Sequence, residues 1–182
     1  MQVTLTKHPL KEIPMKRFIF LAIASSIIRA TTINIPDDFT TIQEGINAAE
    51  TGDTVLVGMG TYYENLTLNK EIVLSSHALN DDLSENWLDN ENINGTIING
   101  GQHPVGSSFG SCLIIRDNDI NPLIHGFTFT EGSGTKMLTT DCEITSDYKR
   151  DERSGGGILI FKAYPTITYN KFINNGSSST AG

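Results

Sequence analysis

Acidic side chains and the single tryptophan gather in the polar segment 80–92, which reads NDDLSENWLDNEN. Asp81, Asp82 and Glu85 supply spaced carboxylate oxygens of the kind that bind calcium, although their spacing does not match an EF-hand loop. Trp87 offers an aromatic face that could stack on the apolar C–H patches of a sugar ring. The sequence therefore predicts candidate calcium ligands and a carbohydrate contact. The alternatives are a solvated acidic loop and a tryptophan that fixes this loop to the domain.

Three other polar stretches contain titratable side chains without the arrangement of a catalytic site. Asp117 and Asp119 precede Pro122, and acidic residues are expected in such a turn for backbone reasons alone. His125 stands beside a glycine, and a lone histidine in such a strand is more often a wall or turn residue than a general base. The segment 136–153 mixes both charges, as a solvated surface loop does. We expect no catalytic residue in this chain.

One helix is predicted before these segments. Thr41 and Glu44 have the spacing of a capping box, in which each side chain binds a backbone N–H of the other end of the turn. An apolar stripe then falls at i, i+4 and i+7, namely at Ile42, Ile46 and Ala49. Gly52 follows as a signal for the helix end. The sequence predicts a short amphipathic helix over 42–50.

After Gly52 the chain changes to short β-branched and aromatic runs separated by Gly, Asn and Pro, which is typical of short strands. The predicted strands are 54–57, 64–68, 71–76, 96–100, 111–116, 123–130, 156–161 and 165–175. Taken in pairs they form four two-strand repeats, interrupted by inserts at 77–94 and 131–154. The last two repeats align at a step of 43 residues, so that 121–124 matches 164–167. Such repeats without internal helices indicate a β-solenoid, with apolar ladders inside and Asn amides stacked on like amides at the bends.

Composition and charge exclude two classes of protein. The chain has 182 residues and a formal charge of −8, which argues against nucleic-acid binding driven by positive charge. No apolar run reaches the roughly 18 residues of a membrane-spanning helix. β-Branched residues, Asn and Gly dominate, whereas Ala is scarce, so a helical bundle is not expected.

The N-terminal region resembles an export signal. A basic pair at Lys16 and Arg17, an apolar run over 18–28 and a small residue at Ala30 follow signal-peptide grammar, and a buried N-terminal helix is the alternative. Cleavage after Ala30 would change the formal charge from −8 to −12. We predict an N-terminal extension and signal peptide over 1–30, a cap with its helix over 31–52, and solenoid coils over 53–182 that are truncated at the C-terminus.

Export would permit a disulfide between Cys112 and Cys142. Cys112 lies in a strand-like run, however, and Cys142 lies in a polar stretch. An inward-facing Cys112 that acts as a small apolar side chain is the alternative that we favour.

The opening segment IPDDFTTIQEGINAAETGDTVLVGMGTYYENLTL resembles the N-terminal cap of the pectin-lyase-like superfamily, and pectinesterases begin in a similar way. The later GGGILI and PTITYNKFINN resemble repeats of secreted bacterial β-helix proteins. The resemblance covers about residues 33–176. It implies an all-β fold, a single-stranded right-handed parallel β-helix of about four coils, whose N-terminal helix covers the edge of the first coil.

The resemblance does not imply one activity, because this superfamily contains enzymes, adhesins and other surface proteins. The acid and base motifs of pectinesterases and polygalacturonases are absent from the sequence. We therefore expect a secreted or cell-surface module that presents loops to a carbohydrate or another partner, with no cofactor and at most weak calcium binding. The alternatives are the N-terminal part of a polysaccharide lyase or hydrolase with catalytic coils downstream, and an adhesin-like shaft. Self-association through a strand edge is a further expectation.

Overall fold

The structure is a computed structural model that describes residues 29–102, 109–136 and 153–177, without the side chains of Asp117 and Asn118. Nearly all of the predicted signal peptide, most of the segment 136–153 and Cys142 lie outside the described residues. The helices are α1 (Ile42–Ala48) and α2 (Glu91–Gly95), with 3-10 turns at His77–Asn80 and Trp87–Asp89. The first seven strands are β1 (Thr32–Ile35), β2 (Thr54–Val57), β3 (Gly60–Tyr62), β4 (Leu66–Leu68), β5 (Val73–Ser76), β6 (Thr96–Asn99) and β7 (Leu113–Ile120). The others are β8 (Leu123–His125), β9 (Thr128–Thr130), β10 (Thr135–Lys136), β11 (Arg153–Ser154), β12 (Ile158–Ala163), β13 (Thr166–Thr168) and β14 (Lys171–Ile173).

The described strands form three parallel sheets and one small antiparallel pair, β10–β11. Sheet A has the order β1-β2-β5-β8-β13, sheet B the order β14-β9-β6-β3, and sheet C the order β12-β7-β4. From β2 onward the chain visits A, B and C in turn and then returns to A, and the pair β10–β11 interrupts this order once. The expected all-β architecture with parallel sheets and a short N-terminal helix is therefore confirmed.

The predicted step of 43 residues is the actual register between the last two rounds of the chain in sheets A and B. Ile124 pairs with Ile167 in sheet A, and Phe129 pairs with Phe172 in sheet B. The corners keep the same step, because left-handed φ values occur at 119 and 162, at 126 and 169, and at 131 and 174. One residue in this conformation lets the chain turn sharply from one sheet to the next.

Each round contains three strands, whereas the sequence predicted two. The predicted strand 123–130 bends at Gly126 (φ +78°) into β8 and β9, and 165–175 bends at Tyr169 (φ +54°) into β13 and β14. The Gly60–Tyr62 strand was missed because a three-residue run that opens with glycine looks like part of a turn. The two predicted inserts also made the three-strand repeat hard to recognise, because they change the spacing between successive rounds.

Asparagines at the corners stabilise the stack differently from the prediction. The amide of Asn170 donates to the carbonyl oxygens of Ile124 and Thr168 and accepts from the N–H of Phe127, all at 2.9 Å. Asn175 makes the same kind of bonds to Gly132 and Phe129. These amides bind main-chain groups, mostly of the preceding round, and do not bind like amides.

Helix α1 begins at the predicted capping box: the Thr41 hydroxyl accepts from the N–H of Glu44, and the Glu44 carboxylate accepts from the N–H of Thr41. The helix ends at Ala48, before the predicted Gly52, because Ala49 already has an extended backbone. The segment around β4 fixes both helix ends. The Glu64 carboxylate accepts from two N–H groups at the N-terminus, and the Lys70 ammonium donates to three carbonyl oxygens at the C-terminus. The negative charge at the N-terminus and the positive charge at the C-terminus both interact favourably with the helix dipole.

The space between the sheets holds the apolar core. Its column in sheet B is Tyr62, Ile98, Phe129 and Phe172, and its column in sheet C is Leu66, Leu113 and Ile158. Cys112 is fully buried in this core with a free thiol, and burial raises its pKa. The role of a small apolar side chain therefore fits Cys112, whereas its pairing with Cys142 falls outside the described residues.

Candidate functional site

The segment 77–95, which we call the insert, folds at the corner between sheets A and B. It contains the two 3-10 turns and α2, whose N-terminus is capped by the Asn90 side chain. Ala78, Leu83 and Ile93 form a small buried cluster of its own, against which Trp87 packs. This second core makes the insert an ordered part of the protein, which the polar sequence of 80–92 did not predict.

Two of the three carboxylates predicted as calcium ligands accept hydrogen bonds from residues within the insert. Asp81 accepts from the side-chain amides of Asn92 and Asn90, both at 2.8 Å, and these bonds lower the pKa of Asp81. Asp82 accepts from the N–H of Ser84 at 3.1 Å, and its pKa is lowered by hydrogen bonding to Ser84. Glu85 is exposed. Among the described residues, no three side chains of His, Cys, Asp or Glu converge on one point, so the structure does not bring the predicted ligands together.

Trp87 is half-buried and fixes the insert to a later round of the chain. Its ring meets the edge of Tyr169 at a centroid distance of 5.7 Å and an interplanar angle of 76°. Tyr169 in turn meets His125 at 5.5 Å, and Tyr169 remains 39% exposed. Trp87 therefore fixes the insert to the sheets, which was the alternative stated above. In the aromatic pair that it forms with Tyr169, part of the Tyr169 side chain remains exposed to solvent.

His125 packs against Tyr169 and contacts three elements of the structure. Its Nδ1 is 2.9 Å from the Thr168 hydroxyl oxygen, and its Nε2 is 3.4 Å from the carbonyl oxygen of Ala78. His125 thus links β8, β13 and the first turn of the insert. These contacts describe a structural side chain in the wall, as its lone position in the sequence suggested.

Sheet B holds the other end of the insert. The Thr128 hydroxyl donates to the carbonyl oxygen of Ile93 at 2.8 Å, and the Lys171 ammonium donates to the Leu88 carbonyl and the Asn94 side chain. Gly126 leaves the space that this packing needs, since a Cβ there would meet Ala78 at 2.8 Å. The insert therefore extends from its own round across the two that follow.

An open groove of about 450 Å³ lies on the opposite flank of the insert. It is lined by Gly58, Met59, His77, Asn80, Asp81 and Asn92. Met59 comes from the turn between β2 and β3 and is 61% exposed, whereas the other side chains belong to the insert. Sequence reasoning identified only Asp81 here, because 22 residues separate Met59 from Asp81.

The remaining polar candidates show no catalytic arrangement within the described side chains. Asp119 is an exposed corner residue with φ +54°, as a turn residue should be. Arg116 lies in sheet C opposite Phe161 of β12. Ser111 and Thr135 form a buried hydroxyl pair at 2.7 Å, which joins β10 to the start of β7 and serves packing.

No family model, no curated protein and no solved structure matches this chain. The resemblance of 33–176 to the pectin-lyase-like superfamily therefore depends on the sequence motifs and on the parallel sheets. None of the helices among the described residues is long and apolar enough to span a membrane.

Proposed function

We propose that the three sheets are the walls of a right-handed parallel β-helix, the fold that the opening motif implies. The cyclic order of the sheets and the in-register stacking at a step of 43 residues support this assignment. Crossovers between parallel strands are right-handed in nearly all proteins, which supports the hand. The position of α1 against β4, the end strand of sheet C, fits the capping helix that the resemblance implies.

We further propose that this β-helix is a secreted or cell-surface module whose insert binds a polysaccharide. The observation that carries the proposal is the fixed insert, which holds the Trp87–Tyr169 pair on one flank and the open groove on the other. Rigid loops on a repetitive scaffold commonly carry binding sites. Partly exposed aromatic rings, and a groove lined by both apolar and polar groups, each suit the mixed apolar and hydroxyl surface of sugars.

Affinity electrophoresis of the full chain in gels that contain single polysaccharides tests this function. We expect at least one polysaccharide to retard the chain, and we expect Trp87→Ala to reduce the retardation. Tyr63→Ala is the matched control, because it removes a 55% exposed aromatic ring from a different corner. Circular dichroism of both variants shows whether the fold is intact. Unretarded migration in every gel would contradict the proposed function.

A further inference from the structure

The groove beside the insert has walls of two chemical kinds. On one side lie the backbone of Gly58, which has no side chain, and the exposed side chain of Met59. On the other side His77, Asn80 and Asp81 present polar groups, and all three side chains are exposed to solvent. Its volume of about 450 Å³ lies within the range of about 300–1,000 Å³ typical of small-ligand sites.

Two polar groups in this groove have no hydrogen-bond partner in the described part of the chain. Only one oxygen of Asp81, Oδ2, accepts the two amide bonds that hold the insert together, so Oδ1 is available. The His77 ring likewise makes no hydrogen bond there, and it lies near enough to contribute to the lowered pKa of Asp81, after the larger effects of Asn92 and Asn90. The insert therefore fixes the Asp81 carboxylate and leaves one face of it free.

We propose that this groove is the subsite for a neutral pyranose unit of the bound polysaccharide, an inference that rests on the proposed function. The Met59 side chain and the Gly58 backbone provide contact for the C–H face of the ring. Asp81 Oδ1 accepts from a sugar hydroxyl, and the His77 ring and the Asn80 amide complete the polar side. Charge-assisted hydrogen bonds of this kind are the stronger ones.

The same carboxylate decides which sugars are excluded. A uronate would bring a second negative charge next to Asp81, and the chain already carries a formal charge of −8. Like charges repel each other, and a repulsive element of this kind is an effective source of specificity. The groove therefore selects neutral polysaccharides against polygalacturonate.

Isothermal titration of the full chain with a soluble neutral glucan, a galactomannan and polygalacturonate tests the subsite. We expect one of the neutral polymers to bind better than polygalacturonate. We expect Asp81→Ala to weaken that binding by about tenfold to a hundredfold, the range for a lost charged hydrogen bond. His77→Ala should weaken it less. Glu71→Gln is the control, since it also removes one negative charge from an exposed position outside the groove.

The possible outcomes separate the subsite from the proposed function. Binding of a neutral polymer that Asp81→Ala and His77→Ala leave unchanged would overturn the subsite alone. Preferential binding of polygalacturonate would also overturn it, while carbohydrate binding as such would stand. Failure of all three polymers to bind would overturn both. Asp81→Asn keeps an acceptor for the two asparagine amides, so it separates a lost sugar contact from a loosened insert.

Discussion

The side-chain amide of Gln43 makes both hydrogen bonds to Thr67 that a neighbouring strand would make. Its Oε1 accepts from the N–H of Thr67 at 2.8 Å, and its Nε2 donates to the carbonyl oxygen of Thr67 at 3.1 Å. Thr67 is the central residue of β4, the end strand of sheet C. One glutamine on α1 therefore substitutes for a strand at an edge that would otherwise be open to pairing.

Gln43→Met should destabilise the first round of the chain. The methionine keeps the length of the side chain but leaves the N–H and the carbonyl of Thr67 without their partners, at a cost of about 1–3 kcal/mol. Chemical denaturation measures this change. Gln43→Glu keeps the acceptor and loses the donor, so it should fall between the wild type and Gln43→Met. Equal stability of all three proteins would mean that the edge needs no cover.

The helix was predictable because its signals are local, whereas its partners were not. The capping box of Thr41 and Glu44 spans four residues and was read directly from the sequence. The contacts of Gln43 with Thr67 and of Lys70 with Ala49 join residues 24 and 21 positions apart. Nothing in the pattern of hydrophobic residues specifies such pairs, because they depend on how β4 passes beneath the helix.

Asp53 should make the N-terminal cap sensitive to acid. Its carboxylate accepts from the N–H groups of Thr31 and Glu50, each at 2.8 Å, and these bonds lower its pKa, the bond from Thr31 most strongly. Because the folded pKa lies below the unfolded one, the stabilisation is fully present above the unfolded value of about 4. It is lost as the pH falls from there through the folded pKa.

Thermal unfolding of Asp53→Asn between neutral pH and about pH 3 checks this direction. The variant should be less stable than the wild type at neutral pH, and the difference should shrink as the pH falls. Asp37→Asn, at an exposed position of the same cap, is the control for the loss of one carboxylate from this region. A difference in melting temperature between Asp53→Asn and the wild type that grows as the pH falls would contradict the stabilising role of the ionised Asp53 carboxylate.

Tyr169→Asn should loosen Trp87 without straining the backbone. Asn tolerates the left-handed conformation at position 169, and the aromatic pair itself is worth about 0.5–1.5 kcal/mol. Because Trp87 is the only tryptophan, its fluorescence reports this site alone. We expect emission at longer wavelength and stronger quenching by acrylamide. Tyr164→Ala, which removes a 66% exposed ring from the same round, should change neither.

The candidate site was harder to predict than the fold for a related reason. The sequence singled out Trp87 and Asp81, since rare and clustered residue types are visible without a structure. Tyr169 lies 82 residues after Trp87 and becomes its neighbour only because two further rounds of the chain bring it there. Met59 lies outside the predicted strands, and the groove that it lines exists only once the insert is folded.

Calcium should bind weakly to the insert. Asp81 and Asp82 already accept hydrogen bonds from within the insert, and a cation would have to compete with those donors. Calorimetric titration in low salt should therefore give a dissociation constant weaker than micromolar. Magnesium and the double variant Asp81→Asn, Asp82→Asn serve as controls. A micromolar constant that the double variant abolishes would instead establish the site predicted from Asp81, Asp82 and Glu85.

The last prediction concerns the apolar surface of the final round. Ile160 is 45% exposed and Phe172 is 50% exposed, whereas their register partners in the preceding round, Ile115 and Phe129, are fully buried. Phe172 stacks on Phe129 with centroids 5.3 Å apart, so one face of its ring is packed and the other is open. Strands β12, β13 and β14 are end strands of their sheets, and exposed edges beside apolar surface recruit further chains.

This chain should therefore self-associate or fray from β14 inward. Light scattering over a range of concentrations and amide exchange across β12–β14 distinguish these two outcomes. Ile160→Lys should reduce association, because a charged side chain at the open end of the stack opposes burial against a second copy. Thr166→Lys adds the same charge at an exposed position of β13 without removing apolar surface, so it should reduce association less. A monomeric wild type with strong protection through β14 would show that this round is stable with its apolar face in water.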